Sequence, residues 1–426
     1  MTLKTRLSVL LISTPVLAFV LIGGLMGNNA SAGTGDQTFQ HLRVFEDVVN
    51  LVISNYVEEV KVDRVMEGAM RGLADGLDPD SAYLTAKQVA AIESRAALPD
   101  GEVGLELTRQ YYLRVIAARE GSPAAAAGLQ TGDIIRGIDG KSTREMSVFE
   151  GSRLLRGQPG SKVSLTLIRG NAAEPHEMSL IREKAAGPTV TGRMLGTDAG
   201  YVRITAFRNG VAEELRTQIA DLTKAGAKSL ILDIRRTAEG PLENGVAAAR
   251  LFVKSGTLAM KAGREQYGPG DTASAKPDRN VKNDETEKPA DRAARLAARM
   301  LAGAERIDAR AGDGAIELPV QLLVTTGTSG AAELFAAALD GNARADLIGE
   351  RTLGRASLQK LVKLPESRGL WLTYARYLTP AGVTIHGKGL EPDVAVEDPD
   401  IEFGAPAPEK DPILDAAVSR LVKKAA

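Results

Sequence analysis

Residues 229–234 read Ser229-Leu230-Ile231-Leu232-Asp233-Ile234. A short, nearly unbroken apolar run without apolar/polar alternation is the pattern of a strand covered on both faces, as in a parallel sheet. Upstream, Tyr201-Val202-Arg203-Ile204 supplies another strand, with an amphipathic helix over Ala212–Leu222 between the two. Downstream, Asn244–Val253 reads as a helix and Val320–Thr325 as a second buried strand. Ala331–Leu339 reads as a helix that begins just after a Gly-rich turn, and Leu347-Ile348-Gly349-Glu350 and Leu370–Ala375 add strands. Strands alternating with helices predict an α/β domain, here over 195–400. Residues 263–288 are polar, with few large apolar side chains, and predict a surface insertion. Ala290–Ile307 then reads as an exposed Ala/Arg-rich helix, and 401–426 as a C-terminal tail and helix.

The chain has 426 residues, with 53 Lys+Arg against 54 Asp+Glu. That length allows two or three domains at about 100–200 residues each. A net charge of −1 provides no field for gathering nucleic acid, so no nucleic-acid partner is expected. Cys is absent, which excludes disulfides, thiolate nucleophiles and Cys-based metal sites. The three His (His41, His176, His386) are far apart in sequence, so a His-rich metal centre is not expected. Serine chemistry would need a base other than a local His.

The first 32 residues follow a different rule. Lys4 and Arg6 precede the apolar run Leu7–Met26, and Ala30-Ser31-Ala32 suits a signal peptidase. Residues 1–32 are expected to be a signal peptide or an uncleaved membrane anchor. Either reading exports the body to the periplasm or cell envelope, the second leaving residues 7–26 in the inner membrane. Residues 41–98 form an N-terminal helical region, with Val44, Val48, Val49, Val52 and Ile53 at helical spacing. Asp78-Pro79-Asp80-Ser81 reads as a turn able to cap a following helix.

Between 101 and 184 the texture changes to short strands with Gly punctuation. Val103-Gly104-Leu105-Glu106-Leu107 and Leu113-Arg114-Val115-Ile116 lead to Gly121-Ser122-Pro123, an Ala-rich turn ending at Gly128, and Gly132-Asp133-Ile134-Ile135. A helix over Val148–Leu155, Leu154-Leu155-Arg156-Gly157-Gln158-Pro159-Gly160 and the strand Lys162–Ile168 close the segment. This order resembles a circularly permuted PDZ domain, a small β-barrel-like sandwich with helices. The resemblance implies that Val103, Gly104, Leu105, Glu106 and Leu107 receive a peptide as an added strand, its terminal carboxylate near the Glu102–Leu105 loop. Gly104 would permit the close approach.

The order of export signal, helical arm, inserted PDZ module and α/β core resembles the C-terminal processing (tail-specific) serine peptidases. Tyr201–Ile204, Leu230–Arg235, Leu347–Gly354, Pro380-Ala381-Gly382 and Gly387-Lys388-Gly389-Leu390-Glu391-Pro392-Asp393 carry the resemblance. It implies a Ser nucleophile, a Lys base assisted by a Gln, no cofactor, and polypeptide C-termini or extended peptides as partners. An active relative in mixed oligomers, or self-association, is the further expectation. The nucleophile belongs at the middle Ser of Ser-Ala-Ser-Ala-Ser-Glu, which aligns here with Thr328-Ser329-Gly330-Ala331-Ala332-Glu333. Gly330 therefore stands at the nucleophile position. The base segment aligns with Thr352-Leu353-Gly354-Arg355-Ala356-Ser357-Leu358-Gln359, which puts Arg355 at the base and retains Gln359.

Gly cannot form an acyl-enzyme, and a guanidinium cannot become a neutral base. Glu239 and Gly240 fall in the expected oxyanion loop, where a carboxylate would oppose a developing oxyanion. The sequence thus predicts a peptidase-family protein whose catalytic pair is lost. The alternative is an active enzyme using Ser329 with Lys360 or another base; Ser329 also suits a helix N-cap. Arg355 is expected to pair with Glu239 first and Glu333 second.

Overall fold

In the computed structural model, the described residues are 34–425 except 96, 171–173, 186, 264–300, 302, 400 and 402–407. The expectations for residues 1–32 and for the insertion beyond Gly263 fall outside them. Residues 34–69 form one compact unit and the rest of the described chain a second. The first holds helix α1 (Thr34–Asn55) and most of α2 (Val62–Asp75). The apolar periodicity of α1 is helical as expected, and its Leu42, Val44, Val48 and Leu51 stay exposed.

In the second unit the turn at Asp78 is as expected: its Oδ1 accepts from the backbone N–H of Asp80 (2.9 Å) and Ser81 (2.7 Å). It does not cap a helix. Strand β1 (Ala82–Leu84) follows, and the cap of α3 (Ala86–Glu93) is Thr85, bonded reciprocally with Gln88. Three residues are too few to display a period of two, so this strand left no sequence signature.

The PDZ segment comprises β2 (Gly101–Glu102), β3 (Leu105–Arg109), β4 (Leu113–Ala118), α4 (Pro123–Ala126), β5 (Ile134–Ile138), β6 (Lys141–Ser142), α5 (Val148–Leu154), β7 (Lys162–Ile168), β8 (His176–Ile181) and β9 (Glu183–Lys184). Its antiparallel sheet runs β3-β4-β5-β7-β8, with β6 on β5, while β2 pairs separately with β9. β3 is therefore an edge strand. Leu107, Leu113, Val115, Ile135, Val163 and Leu165 alternate inward to form the core. Helix α5 lies tightly against it: a Cβ on Gly151 would come within 2.2 Å of the Leu113 side chain.

The α/β core continues with β10 (Val190–Leu195), β11 (Ala199–Ile204), α6 (Val211–Lys224), β12 (Ser229–Asp233), α7 (Leu242–Ala249), β13 (Thr257–Gly263), β14 (Glu305–Asp308), β15 (Val320–Val324), α8 (Ala331–Gly341), β16 (Ala345–Gly349), β17 (Ser357–Lys363), β18 (Gly369–Leu378), β19 (Val394–Ala395) and α9 (Pro412–Ala425). The central sheet runs β10-β11-β12-β15-β16-β19, parallel except for β10. Leu230 and Leu232 pack into the cluster that holds α6, α7 and α8, whereas Ile231 faces Ile413 and Ala417 of α9. Cover on both faces is what made this run read as continuously apolar. A second sheet joins β1-β18-β13-β14, with β17 on β18. Most of the helix expected over Ala290–Ile307 lies outside the described residues, but its end is strand: Glu305–Ile307 pair antiparallel with Lys261–Ala259 of β13. Tertiary pairing overrides local helix propensity there.

Candidate active site and its surroundings

The site is built where β15 turns sharply into α8. Within the turn, Thr328 Oγ1 donates to the Ile234 carbonyl (2.9 Å) and accepts from Thr325 N–H (3.0 Å). Ser329 N–H donates to Thr237 O at 3.0 Å, which ties the turn to the loop after β12. Gly330 follows with φ 64° and ψ −119°, a left-handed position immediately before the first residue of α8. A Cβ there would meet Leu242 at 3.6 Å, Ala238 O at 3.7 Å and Arg355 O at 3.8 Å, all ordinary contacts. Position 330 thus lies against the Arg355 backbone, with space for a Cβ at a φ that strains any side chain.

Glu333 organises both halves. It is fully buried and accepts from Gly330 N–H (3.0 Å), Gly354 N–H (2.6 Å), Arg355 N–H (2.7 Å) and the Thr352 hydroxyl. Burial pushes its carboxyl above the usual range, opposed by those hydrogen bonds. Its role is to clamp the 352–355 segment against the helix start. It meets Arg355 through the backbone, so the expected pairing with the guanidinium does not form.

The guanidinium's carboxylate is also not Glu239. Arg355 Nη2 lies 2.8 Å from Asp80 Oδ1, and Nη1 donates to the Leu107 carbonyl at 3.1 Å and stands 3.9 Å from Glu106. Burial by itself would lower the Arg355 pKa. The charges of Asp80 and Glu106 more than offset this and hold it above its ordinary value. Glu239 is paired with Arg208 (2.5 Å) and Arg119 (2.9 Å), so the carboxylate beside the expected oxyanion loop is neutralised. Glu102 joins the same network through Arg119 (2.6 Å), Arg156 and Arg208 (both 3.2 Å). Gly240 is required by the fold: a Cβ there would lie 2.2 Å from Phe207 O.

Gln359 donates to Ser357 Oγ (2.8 Å) and Thr373 Oγ1 (3.2 Å), and Ser357 Oγ bonds Asp80 at 3.3 Å. Gln359 thus reaches Arg355 only by way of Ser357 and Asp80. Lys360, the alternative base, points to the opposite face of β17 by strand alternation, and its ammonium lies 5.1 Å from the Tyr374 ring centre. Ser329 is buried but is not the helix cap; Gly330 takes that place.

In the PDZ segment Val103 and Leu107 are buried, while Leu105 packs partly exposed against the PDZ core. Gly104 serves packing within the chain, since a Cβ would fall 2.2 Å from Ser122 Cβ. Glu106 points toward Arg355, and its pKa is pushed up to about 7 by burial and by the charges of Glu239 and Glu102, against Arg355. Sequence reading missed Asp80, Arg119 and Arg208 as parts of this site. Asp80 sat in an acidic turn that reads as solvated, and nothing local marks it as buried. Among the described residues, no cluster of three or more His, Asp or Glu is placed to hold a metal.

With this geometry in view, comparison with known proteins identifies the class. Residues 198–396 match the model for Peptidase family S41, and residues 114–169 match a PDZ domain. The chain therefore carries a Peptidase family S41 domain and a PDZ domain, and the relatives it resembles over most of its length are named carboxy-terminal processing proteases. It is 28% identical over 380 residues to the carboxy-terminal-processing protease of Bartonella bacilliformis, covering 88% of this chain and 79% of that one. It is 29% identical over 405 residues to carboxy-terminal processing protease CtpA of Bacillus subtilis, covering 93% and 78%. The photosystem II D1 C-terminal processing protease shares the fold with a TM-score of 0.62 and 26% identity, over 83% of this chain and 92% of that one.

Proposed function

We propose that this chain is an exported family member that binds polypeptide C-termini or extended segments and does not cut them. The observation that carries this reading is Gly330: a turn with room for a nucleophile's side chain, supplied with none. Arg355 supports it, because a guanidinium ion-paired with Asp80 takes no proton from a hydroxyl. The names of the relatives point to C-terminal segments as the peptides concerned. Half-exposed Leu105 and Leu154 beside the PDZ core suit an apolar terminal residue. The apolar run at residues 7–26 supports export, and regulation of an active relative through mixed oligomers is compatible with binding alone.

The test is a digest of casein and of C-terminally tagged peptides by the purified protein, with a serine-directed covalent probe in parallel. Neither cleavage nor labelling is expected. Labelling at Ser329 would overturn the reading. In peptide binding, free-acid termini are expected to bind about tenfold better than C-terminal amides, because hydrogen bonds to a charged group are worth roughly 1.5–3 kcal/mol. Equal affinity would remove carboxylate capture as the binding mode.

A further inference from the structure

Arg355 stands at the base position, yet its side chain reaches into the PDZ segment. One guanidinium nitrogen pairs with Asp80, which lies just before β1 (Nη2–Oδ1 2.8 Å). The other donates to the carbonyl of Leu107 in the middle of β3 (3.1 Å) and faces Glu106. Among the described residues β3 ends its sheet, with β4 as its one strand neighbour, and α5 packs alongside. An edge strand beside a helix is where an extended peptide adds, through the strand's own N–H and C=O groups.

We propose that Arg355 is a latch on this edge: it holds β3 to the core and occupies a carbonyl that an added peptide strand would use, so peptide and guanidinium compete. The proposal rests on the peptide-binding reading given above. The chemistry depends on arginine. A planar fork can satisfy Asp80 and the Leu107 carbonyl at once, whereas a lysine ammonium is a single point charge on a flexible stem. The change at position 355 that removes a general base thus also links the core to the binding strand. The ligand class that opens the latch is an extended peptide with a free, apolar C-terminus, because such a peptide offers backbone donors and acceptors in place of the guanidinium.

The experiment uses the purified full chain and a fluorescent peptide of that kind, in wild type, Arg355→Lys, and Asp80→Asn with Arg355→Gln. The double variant removes both members of the Asp80–Arg355 pair together, so it keeps the test sound if the single variant folds poorly. Peptide affinity is expected to rise about tenfold in both variants. Amide hydrogen exchange over residues 105–109, measured without peptide, is expected to speed up. A merely structural role for Arg355 would leave affinity unchanged or lower it, and either result overturns the latch while leaving the peptide-binding reading in place. Absence of binding in every form, wild type included, overturns the peptide-binding reading. Exchange then decides whether Arg355 holds β3, and unchanged rates overturn that as well.

Discussion

A serine introduced at position 330 finds space but not chemistry. Its neighbours at 3.6–3.8 Å accept a Cβ, whereas φ 64° costs a non-glycine residue about 1–3 kcal/mol. Adding Arg355→Lys would not complete the pair, because Asp80 at that location holds an ammonium in its charged form. Covalent labelling by a serine-directed probe is therefore expected only when Gly330→Ser and Arg355→Lys are joined by Asp80→Asn; labelling of the double variant would show that Asp80 does not control the base. Asp80→Asn alone strands a largely buried guanidinium and is expected to destabilise by about 3 kcal/mol. Asp80→Asn with Arg355→Gln should recover most of that in chemical denaturation, and strictly additive losses would argue against the pair. The sequence singled out Gly330 and Arg355 because both lie inside ordered motifs. It misassigned the partner of Arg355 because Glu239 is held by Arg119 and Arg208, which are remote in sequence.

Helix α8 and the 352–355 segment behave as one element because Glu333 accepts three hydrogen bonds from that segment, and a fourth from Gly330 N–H at the start of the helix. Glu333→Gln turns one acceptor into a donor facing other donors. A loss of about 2–4 kcal/mol is expected, with faster amide exchange at Gly354 and Arg355, since buried groups left unsatisfied cost about 1–3 kcal/mol each. A change below 0.5 kcal/mol would mean that the clamp is dispensable. Elements with several turns or a doubly covered strand were legible: α6 places Val211, Leu215, Ile219 and Leu222 on one buried face, and the β12 run is apolar throughout. β1 and β14 were not, because their identity depends on partners at Gly369–Trp371 and Ala259–Lys261 rather than on local pattern. The same limit hid the function of Glu333, visible in sequence only as an alignment anchor.

At the scale of the whole second unit, the PDZ and core segments meet through charge. Glu102, Glu106 and Glu239 converge with Arg119, Arg156, Arg208 and Arg355. Glu106, with a pKa of about 7 against an ordinary 4.5, binds its proton more tightly in the folded than in the unfolded chain. That contribution to stability is complete below about pH 4.5 and is lost as pH rises toward 7. Partial exposure of the side chain screens its size. Wild type minus Glu106→Gln stability should therefore fall between pH 4.5 and 7 and level off above; a flat difference across this window would remove Glu106 as the titrating group. No one-dimensional reading could have found this cluster, whose members are spread from position 102 to position 355.

The left-handed turn at Gly330 also bears on how such a protein can change over generations. A step that strips the side chain from that position runs downhill in stability, and the reverse step climbs by about 1–3 kcal/mol. The margin gained lets a lineage tolerate other slightly damaging substitutions elsewhere. Each of these, once fixed, makes the climb back less survivable. A single dihedral angle can thus act as a ratchet, making a glycine here easier to keep than to replace.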